Sequence, residues 1–166
     1  MLLGKLIRNI KPAYKSTRFN NIRFNSKDCK KNDIFFSIQG NKSNGNNYIK
    51  EAIRNGSKII ISNLNFEGFN KEKILFIKSK NPRKTLAEAA NNFYIKKPKN
   101  IIALTGTNGK TSIANFFYQI LSLSKKKAAT IGTLGVLSKK IKFKTKNTTI
   151  DPIKMHQILQ KLKNLK

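Results

Sequence analysis

The chain has almost no acid. Its 166 residues carry seven Asp and Glu against 35 Lys and Arg, a formal charge of +28, and five of the basic residues are arginine. Cysteine is nearly absent as well: Cys29 stands alone, which excludes a disulfide framework and a CxxC metal pair. Lys27, Lys30 and Lys31 surround it, a sign of charge that lowers a thiol pKa, although an incidental turn cysteine is the plainer reading. No run of about 18 apolar residues exists, so no membrane span is expected. Charge interrupts Met1–Arg8 too often for a signal-peptide core. These absences predict a cytoplasmic protein. A basic field this strong attracts polyanions in general. The lysines, however, run the whole length of the chain, and Asn and Ile are abundant beside them, as AT-rich codon usage favours. No arginine cluster, interleaved aromatic set or known module marks a specific nucleic-acid binder.

With 39% hydrophobic residues the chain can bury a core. Leu2, Leu3, Leu6, Ile7 and Ile10 recur at helical spacing until Pro12. Ile34–Ile38 reads as a strand, and Tyr48–Ile53 as a helix that Gly56 caps in the left-handed region. Lys58–Ile61 and Ile74–Ile77 read as strands. Asn81-Pro82 opens a helix through Tyr94, with Asn as N-cap and Pro in the first turn. Lys96-Lys-Pro-Lys99 reads as a linker. Beyond it the pattern predicts a strand at 101–105, a helix at 110–124, strands at 128–131 and near 141–145, and a helix from Pro152. The expected class is α/β: a small α/β domain over 1–97, then a second unit over 98–166 with a mainly parallel sheet. The stripe Phe116, Phe117, Ile120, Leu121 is expected to pack against that sheet.

The chemistry concentrates where the second unit begins. The apolar run Ile101–Leu104 meets Thr105-Gly-Thr-Asn-Gly-Lys-Thr111, and Ser112 follows as the helix starts. This strand, glycine-rich loop and helix order is what a phosphate-binding loop needs. Gly106 and Gly109 let backbone N–H groups approach phosphate oxygens, with Thr107 and Asn108 between them. The helix N-terminus favours negative charge. Lys110 reaches terminal phosphates, and the Thr111 hydroxyl ligates the Mg2+ that travels with ATP. The strict pattern has a glycine five residues before Gly109, where this chain has Leu104.

That variant loop resembles the nucleotide loop of the Mur ligases, which build the peptide of bacterial cell-wall precursors; folylpolyglutamate synthases have a similar one. Two further blocks follow the family's order. Upstream are Phe24-Asn-Ser-Lys27, Lys31–Gly40 and Asn47–Gly56. Downstream are Ile131-Gly-Thr-Leu-Gly135 and Asn147-Thr-Thr-Ile-Asp-Pro152. The resemblance spans residues 22 to 162, and the Asn-Thr-Thr block is similar to the member that adds the third amino acid. It implies a uridine-nucleotide-binding α/β domain followed by an incomplete P-loop-type ATPase domain of parallel-sheet kind. It also implies ATP and Mg2+ as cofactors, and a UDP-MurNAc-dipeptide and a diamino acid as substrates. Lys110 would be catalytic; Gly106 to Ser112 would hold ATP, with Thr111 on the metal. Phe24, Ser26, Asn41, Lys42, Ser43, Asn147, Thr148 and Thr149 would hold the muramoyl substrate. The family's Asp-Ser-Arg stands here as Asn25-Ser26-Lys27, and the histidine usual before Lys42 is Asn41.

The resemblance further implies that a second acidic metal ligand, a carbamylated lysine and an amino-acid-binding domain lie beyond residue 166. The 166 residues are therefore expected to be inactive alone, with a separate polypeptide as one source of those parts. Two other readings stand beside this one: the sibling ligase that adds D-Ala-D-Ala, and a non-enzymatic basic protein that binds polyanions. His156, the only histidine, is expected to be structural.

Overall fold

The computed structural model describes residues 1–40, 43–144 and 150–164. Two compact units divide it, Met1–Ile95 and Lys96–Lys166.

The first unit is built on a five-stranded sheet: β1 (Ile22–Arg23), β2 (Ile34–Phe36), β3 (Ile59–Ser62), β4 (Gly68–Phe69) and β5 (Leu75–Lys78). The strand order is β1-β2-β3-β5-β4, with β1, β2, β3 and β5 parallel and β4 antiparallel on the edge of β5. Every residue of β2 and β3 is buried. That is why these strands are continuous β-branched and aromatic runs rather than alternating ones: both faces of the sheet are covered. On one face Phe35, Ile60 and Ile74 pack with Cys29 and with Ile49 and Ala52 of helix α2 (Ile49–Arg54). Helix α3 (Pro82–Phe93) packs on β2 and on α1 (Leu3–Leu6), and it buries Leu86, Ala89 and Ala90. The Asn81 side chain accepts a hydrogen bond from Lys84 N at 3.0 Å, the expected N-cap.

The N-terminal helix is only four residues long, where the apolar spacing predicts one continuing to Ile10. Its start is tied to residues 15–19 by backbone pairing. Leu3 N and Gly4 N donate to Thr17 O and Lys15 O, and Phe19 N donates to Met1 O. A Cβ on Gly4 would meet Lys15 Cβ at 2.9 Å, so this close approach requires glycine. By Ile7 the backbone is extended. Helix α2 ends as the sequence predicts, with Gly56 at φ 106°. β1 and β4 are two residues each and were too short to read from periodicity.

Burial also corrects the reading of Cys29. Desolvation pushes its thiol above the ordinary value, against a smaller pull downward from the Ser57 hydroxyl. The neighbouring lysines do not lower it.

The second unit contains helix α4 (Lys110–Leu123), strands β6 (Ala129–Gly132), β7 (Gly135–Ser138) and β8 (Lys142–Phe143), and helix α5 (Pro152–Asn164). The three strands pair antiparallel in the order β6-β7-β8, where the sequence predicts mainly parallel pairing. Short connections make hairpins, and parallel pairs need a longer crossover. The predicted strand at 101–105 is not formed: among the described residues no strand pairs with it, and Ile101 and Ile102 are exposed. The apolar stripe of α4 likewise differs from the expected packing, with Phe116 61% and Ile120 60% exposed. α5 begins at Pro152, with the Asp151 carboxylate accepting from Lys154 N at 2.8 Å. Among the described residues no helix is long and apolar enough to cross a membrane.

Candidate functional site

Two places gather the residues singled out by the sequence. In the second unit, Gly106 at φ 144° and Gly109 at φ 78° turn the chain into α4, conformations that favour glycine. Gly109 is the N-cap of α4 and supplies no side-chain cap, so the first-turn N–H groups of Lys110, Thr111 and Ser112 have no capping hydroxyl or carboxylate. Lys110 is the first helical residue. Its Nζ curls back over the loop and donates to Gly106 O and, at 2.9 Å, to Thr107 O. The loop from Thr105 to Ser112 is exposed throughout.

These features fit a Mg2+-bound triphosphate. Uncapped helix N–H groups and an ammonium meet the anionic oxygens, and a first-turn hydroxyl is a hard oxygen donor for Mg2+. No cluster of three or more His, Cys, Asp or Glu able to hold a metal occurs among the described residues. In the first turn of α4, the Thr111 hydroxyl is the oxygen that could serve such an ion beside the nucleotide's own phosphates.

In the first unit, the carboxyl ends of the parallel strands line one edge of the sheet, the edge where α/β sheets place ligands. Phe24 follows β1 and is 40% exposed. Ser26 lies in a 3-10 turn (Ser26–Asp28) and is buried. Its hydroxyl donates to Glu51 Oε2 of α2 at 2.5 Å, and its carbonyl accepts from Asn55 Nδ2 at 2.9 Å. Ser37 follows β2; its hydroxyl donates to Asn46 Oδ1 at 2.5 Å, while Asn46 Nδ2 donates to Asn63 Oδ1 at 2.9 Å, just past β3. Ser43 is exposed, and its carbonyl accepts from Gly40 N at 2.9 Å. Gly45 is required there, because a Cβ would meet Ile38 N and O at 2.5 Å.

Asn41, Lys42, Asn147, Thr148 and Thr149 lie outside the described residues. Glu51, Ser37, Asn46 and Asn63 were missed by sequence reasoning. The visible signal was Glu51 itself, one of few acids in a lysine-rich chain, placed in a helix whose other face is apolar. His156 is half-buried in α5. Burial, and secondarily the charge of Lys97, hold its pKa below the ordinary value, and its Nδ1 has no hydrogen-bond partner among the described residues.

Two family profiles match this sequence: "Mur ligase family, catalytic domain" over residues 18–94, and "Mur ligase middle domain" over residues 104–166. A UDP-N-acetylmuramoyl-L-alanyl-D-glutamate--2,6-diaminopimelate ligase of Rickettsia prowazekii (strain Madrid E) is 40% identical over 128 residues, which are 77% of this chain and 26% of that protein. The ligase of the same name from Clostridium tetani (strain Massachusetts / E88) is 38% identical over 163 residues, 96% of this chain and 33% of that one. A solved structure of a ligase bearing this name superposes with a TM-score of 0.76 over 99% of this chain and 34% of its own, at 20% identity, a likeness of fold. The chain thus spans a quarter to a third of the length of these relatives.

Proposed function

This chain belongs to the Mur ligase family, and from that premise we propose that it carries two of the substrate sites of an ATP-dependent amide ligase. Residues 1–97 are the part that takes the uridine nucleotide of UDP-MurNAc-L-Ala-D-Glu. Residues 98–166 are the first part of the ATP-binding domain. The amino acid added is a diamino acid; the names of the relatives support diaminopimelate, with lysine as the alternative. The compartment that fits this substrate is the cytoplasm.

The observation that carries this reading is the loop from Gly106 to Ser112, with uncapped helix donors, two left-handed glycines and Lys110 over the same turn. In the reaction proposed, a D-glutamate carboxylate oxygen attacks the γ-phosphorus of ATP, the bond to the β,γ-bridging oxygen breaks, and ADP leaves. The amine of the incoming amino acid then displaces phosphate from the acyl phosphate and gives up a proton. This chain's contribution to the first step is positioning and charge. Lys110 leaves the Thr107 carbonyl for the phosphates, the N–H groups of residues 110–112 hold their oxygens, and Thr111 offers its hydroxyl oxygen to Mg2+. Mg2+ supplies neutralisation of the phosphate charge as ADP leaves. Phe24, Ser26 and Ser43 lie at the sheet edge assigned to the uridine nucleotide; Asn41, Lys42, Asn147, Thr148 and Thr149 complete the proposed contacts.

The test is a pair of titrations of the 166-residue chain, one with Mg·ATP and one with UDP-MurNAc-dipeptide. Lys110→Ala is expected to lose Mg·ATP binding and keep the uridine nucleotide. Unchanged Mg·ATP affinity in Lys110→Ala would overturn the assignment.

A further inference from the structure

The block Gly132-Thr-Leu-Gly135 has no role in the account so far, and the structure gives it a place. It is the turn between β6 and β7, closed by the Gly132–Gly135 pair. Gly135 adopts φ 91°, and a Cβ there would collide with the Phe143 carbonyl and meet Lys144 Cα at 2.9 Å. A side chain is therefore excluded at Gly135, because β8 crosses directly beside it. α4 packs against β6. The turn is thus fixed from two sides, and it holds Thr133 over the first turn of α4. There Thr111 Oγ1 donates to Thr133 Oγ1 at 3.4 Å, across 22 residues.

We propose that Thr133 is a positioning residue for the phosphate loop: its hydroxyl accepts the Thr111 proton and so directs a Thr111 lone pair outward to the nucleotide-bound magnesium. This rests on the phosphate-loop reading above. A threonine hydroxyl has one proton and two lone pairs. To ligate a cation through a lone pair, it must send its proton to some other acceptor. Inside a helix that acceptor is ordinarily the carbonyl one turn back. For Thr111 this is Thr107 O, which lies in the loop before α4 rather than in a preceding helical turn, and the Thr111 hydroxyl bonds to Thr133 instead. Thr133 Oγ1 is the alternative acceptor that the fold provides. The separation exceeds the usual O–H···O distance of about 2.7–2.8 Å, and contacts of this kind tighten when the ligand binds. Partners that orient a metal ligand typically change metal affinity by about 10–100-fold.

The experiment is a magnesium titration of ADP binding to the 166-residue chain, with ADP binding in EDTA as the reference. Thr133→Val keeps the shape and removes the acceptor; it is expected to raise the magnesium concentration needed by about tenfold and to leave binding in EDTA unchanged. Thr133→Ser restores the acceptor and is expected to restore the magnesium midpoint. A midpoint in Thr133→Val equal to wild type would overturn the proposal. So would equal weakening with and without magnesium, since a merely structural turn residue gives that result. Failure of the wild-type chain to bind ADP under either condition would instead remove the phosphate-loop reading, and this inference with it.

Discussion

Ser26 and Glu51 are joined across the first unit: the Ser26 hydroxyl, buried in its turn, donates to Glu51 Oε2 at 2.5 Å. The residue that the family resemblance assigns to the uridine nucleotide is thus also the strut between the end of β1 and helix α2. With its proton engaged by Glu51, the Ser26 hydroxyl has only lone pairs to offer, so a substrate group that meets it there must be a donor, an N–H or a hydroxyl. Glu51→Ala removes the acceptor and leaves a buried hydroxyl unsatisfied, a loss of about 1–3 kcal/mol. Glu51→Gln keeps an acceptor oxygen and is expected to lose less. Urea denaturation of the two variants checks this, and equal losses would mean that the hydrogen bond contributes nothing specific.

Asp33 is 1% exposed and accepts from both Arg23 Nε and Lys30 N at 3.1 Å. Asp33→Ala strands the Arg23 guanidinium, which is only partly exposed, and frees the Lys30 N–H. Breaking a buried pair from one side costs about 3–5 kcal/mol, and the partial exposure of Arg23 places this case at the lower end. Denaturation monitored by circular dichroism is the measurement; a loss under about 1 kcal/mol would place the pair among surface ion pairs.

Much of the first unit is legible in the sequence because its strands are buried on both faces and its turns carry Asn81, Pro82 and Gly56 where the backbone demands them. Runs such as Ile34–Phe36 and Ile59–Ile61 have no competing interpretation once helix caps bracket them. What escaped was set by partners far away in sequence. The start of the N-terminal helix is tied to residues 15–19 by backbone hydrogen bonds, and the chain turns extended at Ile7, before the apolar spacing ends. The strand expected at 101–105 needs a neighbour that the described residues do not supply. In the site, the glycines and Lys110 are local chemistry and readable; Glu51 and Thr133 act over 25 and 22 residues, beyond any local pattern.

Cys29 gives a chemical probe of the first unit. Burial raises its thiol pKa, so the folded state prefers the neutral thiol. The stability this contributes is fully present below the ordinary thiol pKa and is lost as pH rises through the raised folded value. Alkylation by iodoacetamide at neutral pH is expected to be slow in the folded protein and to accelerate in urea. Rapid labelling without denaturant would show that the thiol is neither buried nor raised.

His156 predicts the opposite slope for the second unit. Its lowered pKa means that folding favours neutral imidazole. The stability this contributes is present above the ordinary histidine pKa and is lost as pH falls through the lowered folded value. An NMR titration of the single histidine is expected to give a midpoint below that of a model peptide. His156→Gln should flatten the acid side of the unit's stability profile. A midpoint at or above the peptide value would refute the buried placement.

The strand order of the first sheet has a consequence for the moment of synthesis. β2 and β3 each join the strand made just before, and β5 then pairs with β3 while the β4 edge folds back onto β5. Such a sheet can be laid down as the polypeptide leaves the ribosome, one strand at a time from the amino end, at about 5–20 residues per second. One fastening must wait. Asn92 Nδ2, near the end of α3, donates to Leu6 O at 2.8 Å, so the first turn of helix is locked only after almost the whole unit has emerged. Until then the nascent amino terminus, with Leu3 and Leu6 uncovered, is the part of this unit most open to capture by a chaperone or a protease.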